Sequence, residues 1–404
     1  MDSYEEVRSW LYKQLPMYQQ QGAVAYKPGL KKMKDFMTYL GNPHKNFTSI
    51  HIAGTNGKGS TAHMITSVLM EAGCKVGLYT SPHLKDFTER IRINGIAIET
   101  AYVVGFVQKH KPYFIGAQLS FFELTVGMSF EYFSSQNIEY AVVEVGLGGR
   151  LDATNIITPI LSVITNIGFD HMQFLGNTLV SIAKEKAGII KENVPVVIGE
   201  TQSEIVSVFQ ERSNLLKAPI IFADAQENHS HQSDLKGLYQ SKNTQTAVVA
   251  LNELGLDKIK KEHVASGLLK VVSNTNLKGR WQVLREAPYV VADVTHNAAG
   301  FFYVVKQIKK IPHRGLHLVL GFVKEKDIIS IFEILPKEAI YYFSAPDINR
   351  AEEVSVLIKL AEKHKLQATA YKTIGTAYKS ALKSADSEDF IYVGGSTFVV
   401  AEIL

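Results

Sequence analysis

The chain has 404 residues, 46% of them hydrophobic and 20% charged; this excludes intrinsic disorder, and at this length two domains with substantial cores are expected. Lysine and arginine outnumber aspartate and glutamate by 43 to 39, a net charge of +4. That bias is too small to mark a nucleic-acid or membrane-surface partner, although anionic small molecules remain compatible with it. The single cysteine, Cys74, excludes an internal disulfide, suits a reducing compartment and reads as a small buried residue.

The acidic start, Met1 to Glu6, is followed by no long apolar run, so neither a secretory signal nor a membrane span is readable and a cytoplasmic protein is expected. Residues 2 to 14 suit a helix with Val7, Leu11 and Leu15 inward, and a second helix over about 30 to 41 ends at Gly41-Asn42-Pro43. Phe47 to Ile52 is β-rich and apolar, and Ala62 to Ala72 has helical spacing with Met64, Val68 and Leu69 on one face. Between them lies Gly54-Thr55-Asn56-Gly57-Lys58-Gly59-Ser60. Glycines in a strand-to-helix turn let backbone N–H groups close around a phosphate; the helix N-terminus adds partial positive charge, and Lys58 adds a full one. The usual pattern G-x-x-x-x-G-K-[ST] is not matched, because Gly59 separates Lys58 from the first hydroxyl. The plainer reading is a Gly-rich turn for close packing, but a lysine there has little packing use.

A strand over Lys75 to Thr80 runs into Ser81-Pro82-His83-Leu84, a place for metal or phosphate beside the glycine turn. A short hairpin or loop over Phe87 to Gly95 precedes helices near 99 to 111 and 121 to 135. Phe121 and Phe122, after Ser120, are read equally well as core or as exposed aromatics at a helix start. In the apolar strand Tyr140 to Val145 the carboxylate of Glu144 calls for a cation, just before Gly146-Leu147-Gly148-Gly149-Arg150-Leu151-Asp152. A strand over Ile160 to Thr165 leads to Asp170-His171, and the helix ending at Gly188 carries Lys184 and Lys186. Strands near 194 to 199 and 218 to 223 and helices near 241 to 253 and 261 to 270 complete a first domain over 1–273. The polar residues 274–279 read as a linker. Over 280–404, strands near 289 to 293, 316 to 321, 340 to 344, 367 to 372 and 389 to 393 alternate with helices, the pattern of a second, smaller open α/β sheet.

Several of these segments together resemble the folylpolyglutamate synthase and dihydrofolate synthase family of the Mur ligase superfamily. They are Gly54 to Ser60, Thr80 to Leu84, Glu144 to Asn155, Gly168-Phe169-Asp170-His171 and Ile182 to Ile189, all in family order. The resemblance is thinner beyond the linker: Gly279-Arg280-Trp281-Gln282, then Asp293-Val294-Thr295-His296-Asn297 where the family usually has Asp-Gly-Ala-His-Asn, and Gly394 to Glu402.

The resemblance implies an α/β fold, with a P-loop NTPase-like N-terminal domain on a mostly parallel sheet and a Rossmann-like C-terminal domain that binds glutamate and closes over ATP. It implies an ATP- and Mg²⁺-dependent amide ligase that joins L-glutamate to dihydropteroate or to a reduced folate through an acyl phosphate. Carried over residue by residue, Thr55, Asn56, Gly57, Lys58, Gly59 and Ser60 hold the ATP phosphates, with Asn243, Arg280 and Asp293 as further ATP contacts. Ser81, Glu144, His171 and Lys186 match the metal site, Lys186 as a carbamylated lysine. Lys58, Lys186, His171, Asp293 and His296 match the catalytic set. The pterin side matches Ala25, Tyr26, Lys27 and Pro28, then Ser120, Phe121, Phe122 and Glu123, then Leu151, Asp152 and Ala153. Small-molecule substrates, no nucleic-acid or membrane partner and a monomer are expected. The alternatives are a UDP-muramoyl-peptide amino-acid ligase, which needs a UDP-sugar domain before the glycine turn, and a non-catalytic nucleotide switch.

Overall fold

In the computed structural model, residues 3–15, 29–227, 231–324 and 326–404 are described. The chain forms two compact units, one of Met1–Asp234 with Gln240–Leu277 and one of Leu235–Tyr239 with Lys278–Leu404.

The first unit is built on eight strands: β1 (Thr48–Ala53), β2 (Val76–Tyr79), β3 (Ile91–Ile93), β4 (Ile96–Ala97), β5 (Tyr140–Glu144), β6 (Leu161–Ile164), β7 (Val196–Ile198) and β8 (Ile220–Phe222). Their order is β4-β3-β2-β5-β1-β6-β7-β8. From β2 through β8 the neighbours are parallel, and β3 and β4 add an antiparallel edge. The central strands β1, β5 and β6 are buried almost throughout, as expected of a parallel sheet covered on both faces. Asn94 and Gly95 take φ of 46° and 76° between β3 and β4, so the hairpin or loop expected over Phe87 to Gly95 is a 3-10 turn, Phe87–Arg90, followed by a two-residue hairpin.

Three helices differ from expectation. The helix Lys58–Glu71 is buried from Gly59 to Leu69, not along one face. Its outer side is covered by the helix Lys261–Leu269: the Ser67 hydroxyl donates to the Gly267 carbonyl at 2.6 Å, and a Cβ on Gly267 would fall 2.6 Å from the Val68 Cα. The helix Thr100–Ala117 continues through Pro112 instead of stopping before it. The helix Val271–Thr275 occupies the start of the expected linker, and the Asn276 amide donates to the Gly95 carbonyl. The polar residues 274–277 therefore belong to the first unit.

The second unit has six strands, β9 (Gln282–Glu286), β10 (Tyr289–Asp293), β11 (Leu316–Leu320), β12 (Ile340–Phe343), β13 (Gln367–Ala370) and β14 (Phe390–Gly394), in the order β13-β12-β11-β14-β10-β9. All pairs are parallel except β9 with β10. Trp281, Phe301, Phe322, Tyr341, Phe390 and Tyr392 fill its core. No helix of the described residues is long and apolar enough to cross a membrane.

Candidate functional site

The central strand β1 ends at Ala53, and the chain turns through Gly54 (φ 145°) and Gly57 (φ 86°) into the helix beginning at Lys58. A Cβ on Gly54 would lie 1.8 Å from Thr165 Oγ1, and one on Gly57 2.2 Å from Asn243 Oδ1, so both positions require glycine. The loop is pinned from the end of β6: the Thr55 and Asn56 amides donate to the Asn166 carbonyl and side-chain oxygen at 2.8 and 3.0 Å. The Thr165 hydroxyl donates to the Asn56 carbonyl at 2.6 Å, and the Gly168 amide to Thr55 Oγ1 at 2.9 Å. No side chain caps the helix start, and first-turn amides have no intrahelical acceptor, which leaves a concentration of N–H donors at a positive dipole end. Lys58 Nζ curls back across the loop to the Gly54 and Thr55 carbonyls at 3.0 and 3.2 Å. The helix Gln240–Glu253 closes one side, with Gln240 donating to Ser60 Oγ and accepting from Asn243. Asn243, expected at an ATP site, thus stands against Gly57.

Glu144 ends β5, opposite Ile52 of β1, and is buried. The Ser81 amide donates to Glu144 Oε2 at 3.2 Å, so two of the expected metal ligands meet at the carboxyl ends of neighbouring parallel strands. Lys186, in the last turn of the helix Leu179–Ala187, is buried, and its Nζ donates to the Gly54 carbonyl at 2.8 Å. Lys58 and Lys186 therefore share one acceptor. Burial, and then the Lys58 ammonium, push the Lys186 amine down from the ordinary 10.5 to about 7. His171, at φ 52°, opens the short helix Met172–Leu175, and its amide donates to Asp170 Oδ1 at 2.9 Å. Among the described residues no three His, Cys, Asp or Glu side chains gather as a metal cluster. The expected set contains only two such residues, Glu144 and His171, so a divalent ion there needs the Ser81 hydroxyl and substrate oxygens as well.

On the other side of β5, Ser120 and Glu123 form a reciprocal capping box at the start of the helix Phe121–Ser135, so both have a local structural task. Phe121 is core, packed edge-on to Phe87 and Tyr12 with the Arg90 guanidinium 5.2 Å above its ring. Phe122 is half-buried and covers Gly146, where a Cβ would fall 2.4 Å from its ring. Asp152 is buried and binds the Gly146 to Asp152 loop from within: Oδ2 accepts from the Leu147 amide at 2.9 Å, and Oδ1 from the Thr154 amide and hydroxyl at 3.0 and 2.5 Å. Leu151 and Ala153 flank it. The loop also grips the Lys186 helix, through Arg150 on Glu185 at 2.7 Å and Asn155 on the Gly188 carbonyl at 3.0 Å. Ala25, Tyr26, Lys27 and Pro28 lie outside the described residues. Sequence reasoning missed Arg90, which is buried and donates from Nε to His83 Nδ1 at 2.8 Å; a charge immediately before the β-like run Ile91 to Ile93 was its one visible signal.

In the second unit Asp293, at the end of β10, is buried and fully occupied. It accepts from the Trp281 amide at 2.7 Å, the Thr295 amide at 2.9 Å, the Thr295 hydroxyl and the Tyr239 hydroxyl. Thr295 therefore adds a hydrogen bond where alanine could not. Val294 is buried and its amide donates to the Gly279 carbonyl at 3.0 Å, and it takes no positive φ. His296 Nδ1 lies 3.0 Å from the Val294 carbonyl, and Arg280 stands beside Trp281 with its Nη1 3.4 Å from the Gly279 carbonyl.

Comparison with known proteins matches residues 52–269 to the Mur ligase middle domain and residues 279–397 to the Mur ligase glutamate ligase domain. The dihydrofolate synthase/folylpolyglutamate synthase of Buchnera aphidicola subsp. Acyrthosiphon pisum is 35% identical over 399 residues, covering 94% of this chain and 92% of that protein. The chain belongs to the dihydrofolate synthase/folylpolyglutamate synthase family of Mur ligases. A longer Haloferax volcanii protein, named as a bifunctional folylpolyglutamate synthase/dihydropteroate synthase, is 33% identical, and this Mur ligase spans 48% of its length. The bifunctional folylpolyglutamate synthase/dihydrofolate synthase of Yersinia pestis, solved with AMPPNP and a manganese ion, superposes with a TM-score of 0.87 at 27% identity over 100% of this chain and 97% of that one. The family match favours folate ligation over the UDP-muramoyl-peptide alternative.

Proposed function

We propose that this Mur ligase is an ATP-dependent glutamate ligase of folate metabolism that forms an amide between the amine of L-glutamate and the carboxylate of dihydropteroate, of a reduced folate, or of both. The observation that carries this reading is end-to-end similarity to a dihydrofolate synthase/folylpolyglutamate synthase, 35% identity over more than nine-tenths of both chains, in a protein whose glycine loop is built as an anion cradle. The γ-phosphoryl group of ATP passes to the substrate carboxylate, giving an acyl phosphate and ADP. The glutamate amine then attacks the acyl carbon, and the tetrahedral species expels phosphate, with the amine protons released to solvent.

Thr55 to Ser60 hold the phosphates, with the backbone amides from Gly57 onward as the donors, since those of Thr55 and Asn56 are spent on Asn166. Lys58 exchanges its two neutral carbonyl partners for phosphate oxygens, a stronger charge-assisted pairing, and Asn243 borders the nucleotide beside Gly57. The buried Glu144 carboxylate with Ser81 beside it, and an amine at Lys186 held partly neutral, fit a divalent ion; Ser81, Glu144, His171 and a carbamylated Lys186 would hold it. Mg²⁺ bound there supplies neutralisation of phosphoryl charge. Phe122, Leu151, Asp152 and Ala153 face the pterin end of the substrate, with Ser120, Phe121 and Glu123 fixing the helix start behind them. From the second unit we assign Arg280 and His296 to ATP, with Asp293 fixing the segment that carries them through its bonds to Trp281, Thr295 and Tyr239. The protein works as a cytoplasmic monomer on small molecules, with no nucleic-acid or membrane partner. Purified protein with ATP, Mg²⁺ and glutamate should yield an amide product, resolved by mass, from dihydropteroate or a reduced folate and none after chelation of the metal; product from UDP-muramoyl peptides in their place would overturn the assignment.

A further inference from the structure

One buried group has no part in the reaction as described. His51 lies in β1, between β5 and β6, three residues before Gly54, and is completely buried. Its Nε2 is 2.8 Å from the hydroxyl of Thr154, itself fully buried. That hydroxyl spends its proton on Asp152 Oδ1 at 2.5 Å, so toward His51 it can only accept, and Nε2 must carry the imidazole proton. Nδ1 is then a bare acceptor, and among the described residues it has no hydrogen-bond partner. Burial first, and Lys191 second, push the imidazole down to about 3, so His51 stays neutral and its tautomer is fixed. The result is one directed chain: His51 Nε2–H to Thr154 Oγ1–H to Asp152 Oδ1, with Asp152 Oδ2 taking the Leu147 amide at 2.9 Å.

A half-satisfied imidazole in the middle of a buried parallel sheet costs stability that a valine or isoleucine would not. Residues that break a packing rule in this way belong where function needs them. What the chain orients is the Asp152 carboxylate and, through Leu147, the Gly146 to Asp152 loop lying under Phe122.

We propose that His51 is a positioning residue for the carboxyl-substrate pocket, a fixed Nε2–H donor that acts through Thr154 to aim Asp152 and so sets affinity for the pterin end of the substrate, not for ATP. The inference rests on the reading that residues 120–123 and 151–153 receive that substrate. The same strand then serves both substrates: its C-terminal end forms the phosphate loop, and its interior braces the pterin wall.

Steady-state kinetics on the full chain test it, with dihydropteroate, ATP and glutamate varied in turn for His51→Leu, His51→Gln, Thr154→Val and Asp152→Asn. Thr154→Val and His51→Leu should raise the KM for dihydropteroate about tenfold, the size of one lost buried hydrogen bond, with kcat and the KM for ATP held within about twofold. His51→Gln, whose side-chain amide can donate where Nε2 did, should recover most of that loss. The double variant His51→Leu/Thr154→Val should be no worse than the worse single, because both cut one chain. If a thermal melt shows that His51→Leu does not fold, Thr154→Val decides, since it removes only a hydroxyl. A raised KM in Asp152→Asn with unchanged values in Thr154→Val and His51→Leu overturns the relay alone. An unchanged KM in Asp152→Asn overturns the substrate-side reading and the relay with it. Equal damage to kcat and to the KM for ATP in every variant, or a His51→Gln no better than His51→Leu, reduces His51 to a packing residue.

Discussion

Two lysines share the Gly54 carbonyl, and their difference in environment suits the different tasks proposed for them. Lys58 is half-buried and keeps the solvent access a phosphate-binding ammonium needs; Lys186 is buried and held near neutrality. Lys58→Ala should leave the fold intact and cut turnover to less than about a tenth, a barrier change of more than about 1.4 kcal/mol, measured as initial rates at saturating ATP. For Lys186, a neutral amine can add CO₂, forming an N–C bond and releasing a proton, which turns a repelled cation into an anionic oxygen ligand. Lys186→Ala should therefore be nearly inactive and partly rescued by acetate, while Lys184→Ala stays mild; full activity of Lys186→Ala would remove the carbamate from the account. The unliganded protein in bicarbonate-free buffer gives a second check. Its amine titrates near 7 when folded and near 10.5 when unfolded, so between those values the unfolded chain binds more protons and stability rises with pH. Lys186→Met should melt above wild type at pH 6, and its advantage should shrink as pH climbs from 7 toward 10.5. Both lysines were legible because a lysine in a glycine turn, or in a family motif, stands out against its neighbours. Arg90, Thr154 and His51 were not, since burial at single positions follows from packing between segments distant in sequence.

At the scale of elements, what the site needs from the chain is a loop that only glycine can make. Gly57→Ala forces a Cβ at φ 86° to within 2.2 Å of the Asn243 amide oxygen, so it should abolish nucleotide-dependent thermal stabilisation even where the apo melt survives. Gly105→Ala is the contrasting case. Gly105 lies inside the helix Thr100–Ala117 with no atom within 4 Å of an added Cβ, so alanine there should stabilise the protein by about 0.5–1 kcal/mol without changing activity, read from denaturant midpoints. Strands with short apolar runs, such as β5 and β10, could be read from the sequence because the runs are too short for a helix and rich in β-branched residues. The edge strand β9 could not: Gln282, Arg285 and Glu286 leave no apolar run, and only pairing with β10 makes them a strand. The helix Thr100–Ala117 runs past its expected end near 111, since a helix held by buried Val103, Phe106, Val107 and Phe114 tolerates the backbone donor missing at Pro112.

For the whole molecule, the two α/β units and their order follow from the alternation of strands and helices, but the division between them does not. Residues 274–277 pack with the first unit, and Leu235–Tyr239, too short to show a helix or strand period, belongs with the second, where Tyr239 hydrogen-bonds Asp293. Asp293→Ala should cut turnover while leaving the first unit folded, seen as lost activity with an unchanged nucleotide-induced shift in melting; Asp293→Ala and His296→Ala both kinetically silent would remove that motif from the reaction. Which carboxylate substrate the enzyme prefers is not written in local patterns, because dihydropteroate and reduced folates both offer a carboxylate at the end away from a shared pterin ring. The most direct test of the central claim is a single product analysis by mass, with ATP, Mg²⁺ and L-glutamate supplied to the purified protein together with dihydropteroate in one arm and a reduced folate in the other. The account predicts a glutamyl amide in at least one arm, formed with equimolar ADP and phosphate and absent when glutamate or ATP is left out. ATP hydrolysis without amide product in both arms would contradict it.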